Sequence, residues 1–353
     1  MTKSRPAQQT GRRLIRFGGR RGDRRYNNRT MKLLGIHHIT AIAGDPQRNL
    51  DFYRKILGLR FVKRTVNFDD PSSYHFYFGD RTGTPGTVIT FFPWPGARRG
   101  TRGNGQVVAT SFAIPQGSLN HWSDRLKEHS VSVENISRFD EQGLRFTDPD
   151  GLLIELIASD FPSHDASRPP RDGDPAERRE DGGEGNFKLS DIRGFHAPTL
   201  QLRDAGPTQK LLTETLGLEQ IAEQGSRRRF SIDARSTSAR VDLVERPDDP
   251  HGHIAVGTVH HMAFRTPSDE EQLKWREKLV DLGFMVSPVM DREYFHSIYF
   301  REPGGILFEI ATNGPGFAID EPVEHLGESL KLPKQFEAHR SAIEQTLPPI
   351  SLG

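Results

Sequence analysis

The apolar run "LLGIHHITAI" (33–42) is followed by Asp45-Pro46, by Leu50, Tyr53 and Leu57 at helical spacing, and by Gly58. Extended run, N-cap with Pro at the first helical position, apolar stripe and closing Gly predict a strand and then a short helix. The plan recurs in "GFHAPTLQLRDAGPTQKLLTETLGLEQI", where Pro207 opens and Gly217 closes the helix. It recurs again in "GTVHHMAFRTPSDEEQLKWREKLVDLGFMV", where Ser268 and Glu271 predict a capping box and Gly283 a stop. "GQVVATSFAIPQGSLNHWSDRLKEHSVSV" aligns with that last segment without a gap, Gly105 onto Gly257.

The segment ends match as well. "FTDPDGLLIELIAS" (146–159) parallels "FREPGGILFEIATN" (300–313), and "GTPGTVITFFPWPG" (83–96) fits the same frame more loosely. Their Asp/Pro/Gly pieces predict hairpin turns and the apolar runs after them strands. The chain is an internal repeat. Its expected divisions are a basic, disordered tail (1–31), module one (32–105), module two (106–160), a Pro/Gly/charge-rich linker (161–190), module three (191–250), module four (251–314), and a C-terminal arm with a short amphipathic helix (315–353).

Composition narrows the chemistry. With 353 residues and no cysteine, thiolate sites and disulfides are excluded, so any metal must be held by His, Asp or Glu. No run approaches the apolar length of a membrane span. The net charge of +1 is uneven. The first thirty residues carry ten Lys and Arg against Asp23 alone, leaving the remainder at −8, which does not favour nucleic acid. The expected setting is cytoplasmic, with homo-oligomerisation left open.

The four repeats resemble the βαβββ modules of the vicinal oxygen chelate fold. The resemblance implies an α+β architecture in which paired modules curl their sheets into cups around a metal, with helices outside. It also implies that one first-strand and one last-strand position of each module face the cup. The first-strand positions read His38, Ala109, Ala197 and His261. The last-strand positions read Thr90, Glu155 and Glu309 in modules one, two and four; the loop length in module three differs, and its position is not fixed by alignment. His38, His261 and Glu309 can hold a divalent metal only if module one pairs with module four, leaving modules two and three as a metal-free cup. Strand alternation then turns His37 and His260 to the opposite faces.

Two imidazoles and one carboxylate form the arrangement used by non-haem Fe(II) oxygenases, with Mn(II) as the alternative ion. Open positions suit a phenolate donor and O2. A glyoxalase-type lyase or isomerase would use a fourth protein ligand, for which Thr90 is a poor substitute. That reading, and metal-free small-molecule binding, are the alternatives.

"GIHHIT", "GTVHHMAFRT", "DREYFHSIYFREPGGILFEIATNGPGF" and "LGESLKLP" resemble the hydroquinone ring-cleaving dioxygenases from Met31 onward. The resemblance implies Fe(II) on His38, His261 and Glu309, a small aromatic substrate and O2. It further implies that His37, Thr40, His260, Arg292 and Tyr299 orient the substrate and move protons. His296 stands where that group commonly has arginine. His75 either lines the cup or faces outward.

Overall fold

The computed structural model describes residues 31–159, 192–233 and 236–352. The basic tail and the linker lie outside them, and the compact unit described here begins at Lys32.

Module one supplies strands β1 (Ile36–Ala43), β2 (Arg60–Asn67), β3 (Asp70–Gly79) and β4 (Val88–Pro93), with helix α1 (Pro46–Asp51) after β1. Module two supplies β5 (Gln106–Ile114), α2 (Leu119–Glu128), β6 (Glu134–Arg138), β7 (Glu141–Thr147) and β8 (Leu153–Ala158). Module three follows with β9 (Thr199–Leu202), α3 (Gly206–Lys210), β10 (Glu219–Gln224), β11 (Arg227–Ser231) and β12 (Arg240–Glu245). Module four has β13 (Val259–Thr266), α4 (Asp269–Asp281), β14 (Met290–Asp291), β15 (Phe295–Arg301) and β16 (Leu307–Pro315), and the C-terminal arm carries α5 (Arg340–Thr346).

The helix signals act as read. Asp45 Oδ1 accepts from the Arg48 N–H at 2.7 Å, and Ser268 Oγ from the Glu271 N–H at 3.3 Å. In modules one and three the helix continues into one π-helical turn, Phe52–Ile56 and Leu211–Thr215. Gly58 (φ +71) and Gly217 (φ +81) then reverse the chain in a region other residues rarely enter.

Two eight-stranded sheets result, ordered β14-β15-β16-β13-β1-β4-β3-β2 and β10-β11-β12-β9-β5-β8-β7-β6. Module four therefore joins module one, and module three joins module two, as the distribution of histidines required. The seam of the first sheet is the antiparallel pair β1–β13. Each of these strands carries one extra residue. Ile36 and His38 oppose Phe264 and Ala263, leaving His37 as the bulge; Thr40 and Ala41 oppose His261 and Val259, leaving His260. The seam of the second sheet repeats the device at Val108, between the Val107–Leu200 and Ala109–Thr199 pairs. The bulge therefore belongs to the architecture and is not produced by the histidines.

Sheet register also places module three. Glu309 pairs with Ala263, Thr90 with Thr40, Glu155 with Ser111 and Asp242 with Thr199. Each partner lies two residues past the first-strand position of its module, so Asp242 is the missing last-strand residue.

The arm packs on module one. Phe317 and Leu326 join Val62, Tyr77 and Phe295 in one buried cluster, and fully buried Lys63 reaches Asp320 at 2.6 Å and Glu321 at 2.5 Å. Among the described residues, no helix is long and apolar enough to cross a membrane.

Candidate metal centre

Across the β1–β13 seam, His38 Nε2 and His261 Nε2 lie 3.3 Å apart. Glu309 Oε2 is 3.3 Å from the first and 2.9 Å from the second. All three side chains are buried. Ser297 Oγ donates to the other carboxylate oxygen, Oε1. Oε2 has no partner in hydrogen-bonding geometry despite its two close nitrogens. A buried carboxylate oxygen left unbonded is costly, and a cation shared with the two imidazoles removes that cost. Burial raises the Glu309 pKa, but the two histidines outweigh it and hold the carboxyl well below its usual range. Two neutral nitrogens and one anionic oxygen, converging within 4.8 Å of one another, fit a divalent ion.

The histidine doublets differ from the alternating arrangement expected of regular strands. His37 Nδ1 lies 2.9 Å from His38 Nδ1, and His260 Nδ1 lies 2.8 Å from His261 Nδ1. The bulges cause this, since an inserted residue breaks the alternation and brings neighbouring side chains together. His260 lines the same cavity as His261 instead of the opposite face. His37 is buried away from that cavity, against the Phe295 ring. For His38 and His261 to offer Nε2 lone pairs, their Nδ1 atoms must carry the protons and donate to His37 and His260. Orientation by a bonded partner of this kind is usual for metal-binding imidazoles. The same tautomer makes His260 an Nε2–H donor. Burial first, and then the neighbouring His261, lower the His260 pKa to about 3.

The cavity above the three ligand atoms measures about 310 Å³. Phe92, Trp94, Phe295, Tyr77 and Tyr299 are among the side chains that line it. Tyr299 pairs across the sheet with Glu309 and packs edge-on against His261, with ring centroids 5.6 Å apart. Burial and Glu309 push its phenol up, against the lowering effect of Arg292, so it stays protonated. Arg292 lines the cavity, donates from Nε to the Tyr299 oxygen at 3.2 Å, and meets Asp69 at 3.3 Å.

Thr40 does not line the cavity. Its Oγ1 bonds Thr90 Oγ1 at 2.8 Å, and Thr90 Oγ1 in turn contacts His75 Nε2 at 2.9 Å. His75 Nδ1 meets the Tyr77 hydroxyl at 2.8 Å. Thr90 is thus fully engaged, and His75 faces inward. Aligning "SSYHFYF" with "REYFHSIYF" by their tyrosines would have set His75 on the Ser297 position and predicted this. Asp69 and Phe68, in the β2–β3 turn, carried no sequence signal. His296 lies elsewhere, 2.6 Å from Asp269, and does not contact the cavity.

The model of the Glyoxalase/Bleomycin resistance protein/Dioxygenase superfamily matches residues 35–156 and 194–310, and the chain belongs to that superfamily. Within it, the chain is a ring-cleaving dioxygenase by its relatives. MhqO of Bacillus subtilis (strain 168), provisionally named a ring-cleaving dioxygenase, is 45% identical over 91% of this chain and 98% of its own. The chlorohydroquinone/hydroquinone 1,2-dioxygenase of Sphingobium indicum is 33% identical over 89% and 95%. The crystal structure of a provisionally named dioxygenase from Bacillus subtilis matches with a TM-score of 0.82 and 44% identity, covering 92% of this chain and 99% of that one. Maize glyoxalase I, at 14% identity and a TM-score of 0.56, shares the fold.

Proposed function

We propose that the chain is an Fe(II)-dependent extradiol-type dioxygenase that opens the ring of hydroquinone or a substituted hydroquinone with O2. The carrying observation is the convergence of His38 Nε2, His261 Nε2 and Glu309 Oε2, with both imidazoles lining a cavity that Phe92, Trp94 and Phe295 share. A ferrous ion held there would bring phenolate and O2 together and pass electron density from the ring to O2, which relieves the spin restriction on their reaction. The hydroquinone activity named for the Sphingobium relative supports the substrate class.

The protein's own contribution is orientation. Phe92, Trp94 and Phe295 line the cavity and give a flat aromatic ring apolar surface to pack against. Tyr299 presents a phenol O–H, steadied by Arg292, to a substrate oxygen as negative charge grows on it. His260 offers an N–H to the same space, and His37 fixes the ring of His38 from behind. Thr90 is tied to Thr40 and His75, and among the described residues only His38, His261 and Glu309 offer converging ligand atoms. That favours an open centre over glyoxalase-type isomerisation.

Loading the protein anaerobically with Fe(II), and in parallel with Mn(II), then following oxygen uptake on a hydroquinone and catechol panel, tests the reading. We expect uptake and a ring-opened acid with a hydroquinone and Fe(II). Fully metallated protein that consumes no O2 with any dihydroxybenzene would sink it.

A further inference from the structure

The second cup keeps the geometry of the first and exchanges its residues. Ala109 and Ala197 stand where His38 and His261 stand, and Glu155 and Asp242 where Thr90 and Glu309 stand. Beside them, Arg145 faces Glu155 and Arg229 faces Asp242 across the sheet, at the places of Tyr77 and Tyr299. Arg138 Nη2 adds a bond to Glu155 Oε2 at 2.6 Å, and Arg227 Nη1 one to Asp242 Oδ2 at 3.0 Å. Arg229 forks onto Asp242 at 2.7 and 3.1 Å, and Glu141 is shared by Arg229 and Arg240 at 2.6 and 3.3 Å.

Guanidinium groups stand where the first cup gathers its ligand atoms. Arg138, Arg145, Arg227, Arg229 and Arg240 are set among Glu134, Glu141, Glu155 and Asp242 in a largely buried site. Arg138 is only 7% exposed, yet its Nε and Nη1 have no hydrogen-bond acceptor among the described residues. The nearest carboxylate oxygen to Nε, on Asp242, is 3.7 Å away. Burial holds Arg227 below the usual guanidinium value in spite of Asp242, with Arg138 adding to the depression. Room exists for an anion beside Arg138. A cavity of about 420 Å³ is lined by Arg138, Arg145, Arg227 and Arg246 together with Ile136 and Val244, and its one carboxylate, Glu134, lies 3.6 Å from Arg145. A second, of about 210 Å³, shares Arg145, Arg227, Arg246 and Val244 and reaches Glu155 and Ala109, the residue at the place of His38.

Planar guanidinium forks match a carboxylate in shape and charge, and the apolar walls match hydrocarbon. We propose that the second cup is a binding site for a small organic carboxylate, seated on Arg138 and Arg227 and entering past Arg246.

Calorimetric titration of the full chain with cis,cis-muconate, an open-chain dicarboxylate, tests this, with inorganic phosphate as the non-organic control. The expected result is one muconate per chain, with affinity unchanged by His261→Ala or Arg292→Gln in the first cup. Arg227→Gln and Arg246→Gln should each weaken it about tenfold or more. Arg246 is exposed at the rim, bonded to Ser226 Oγ and the Glu245 carbonyl, so its variant carries the test if loss of the Arg227–Asp242 bond unfolds the protein. Absence of binding, binding abolished by Arg292→Gln and untouched by Arg246→Gln, or phosphate bound as tightly as muconate would each overturn the proposal.

Discussion

His260 and His261 are joined Nδ1 to Nδ1 at 2.8 Å, and a β-bulge makes that bond reachable for adjacent residues of one strand. The two histidines therefore have separate tasks. His261→Ala removes a ligand atom, and the expected outcome is protein that retains no iron through gel filtration and shows no oxygen uptake. His260→Ala leaves all three ligand atoms but frees the His261 ring, which should weaken iron binding about 10- to 100-fold. Iron titration with a competing chelator measures both, and equal affinity in His260→Ala and wild type would remove the orienting role.

Tyr299 has a different signature. Its ring is held by His261 and Arg292, and its hydroxyl is not among the three converging ligand atoms. Tyr299→Phe keeps the packing and loses one O–H donor. The expected result is iron content equal to wild type and kcat lower by about 10²-fold, with KM for the hydroquinone little changed. A fall confined to KM would assign Tyr299 to ground-state binding instead.

Module pairing was legible in the sequence because His38 and His261 sit at equivalent points of a repeat and Ala109 and Ala197 sit at the other two. Helix ends were legible because Asp45, Ser268, Gly58 and Gly217 act locally. The bulges were not, since an extra residue is defined only against the partner strand. Asp242 was hidden by a module-three loop of different length, and Asp69 lies in a turn whose place over the cavity depends on the whole sheet. The error about His260 followed directly: strict alternation was applied to a strand that breaks it.

The second cup sets an acid limit on stability. Burial alone would raise Glu141 and Glu155, but His196 and Arg229 for the first, and Arg138, Ser111 and Arg145 for the second, hold both at about 2, below the ordinary 4.5. Depressed carboxyls contribute stability that is fully present above pH 4.5 and is lost as pH falls towards 2. Each contributes up to about 3 kcal/mol. Buried Asp148 acts oppositely. Burial raises it from 3.8 to about 6, so it offsets one of these contributions as pH rises from 3.8 to 6. Urea melts at a series of pH values should show stability falling steeply below pH 4.5, and Glu155→Gln should flatten that slope while leaving iron content unchanged. An identical slope in the variant would remove Glu155 from the account.

Lys63 couples the C-terminal arm to the cavity. Its ammonium is fully buried between Asp320 and Glu321, and the adjoining Phe317 packs on Tyr77 and Tyr294 with ring centroids 5.1 Å apart in each case. Tyr77 is itself part of the cavity wall. Lys63→Met strands two carboxylates, one of them buried, and should destabilise the protein by about 3–5 kcal/mol in urea denaturation. Adding Asp320→Asn and Glu321→Gln removes those charges and should restore a large part of the loss, because the penalty comes from unpaired charge more than from the lost bridge. The single variant should also raise KM for a hydroquinone as Phe317 loosens behind Tyr77, and the triple variant should bring it back. A triple variant no more stable than Lys63→Met would show that the arm is held by its apolar contacts and not by the buried ion pair.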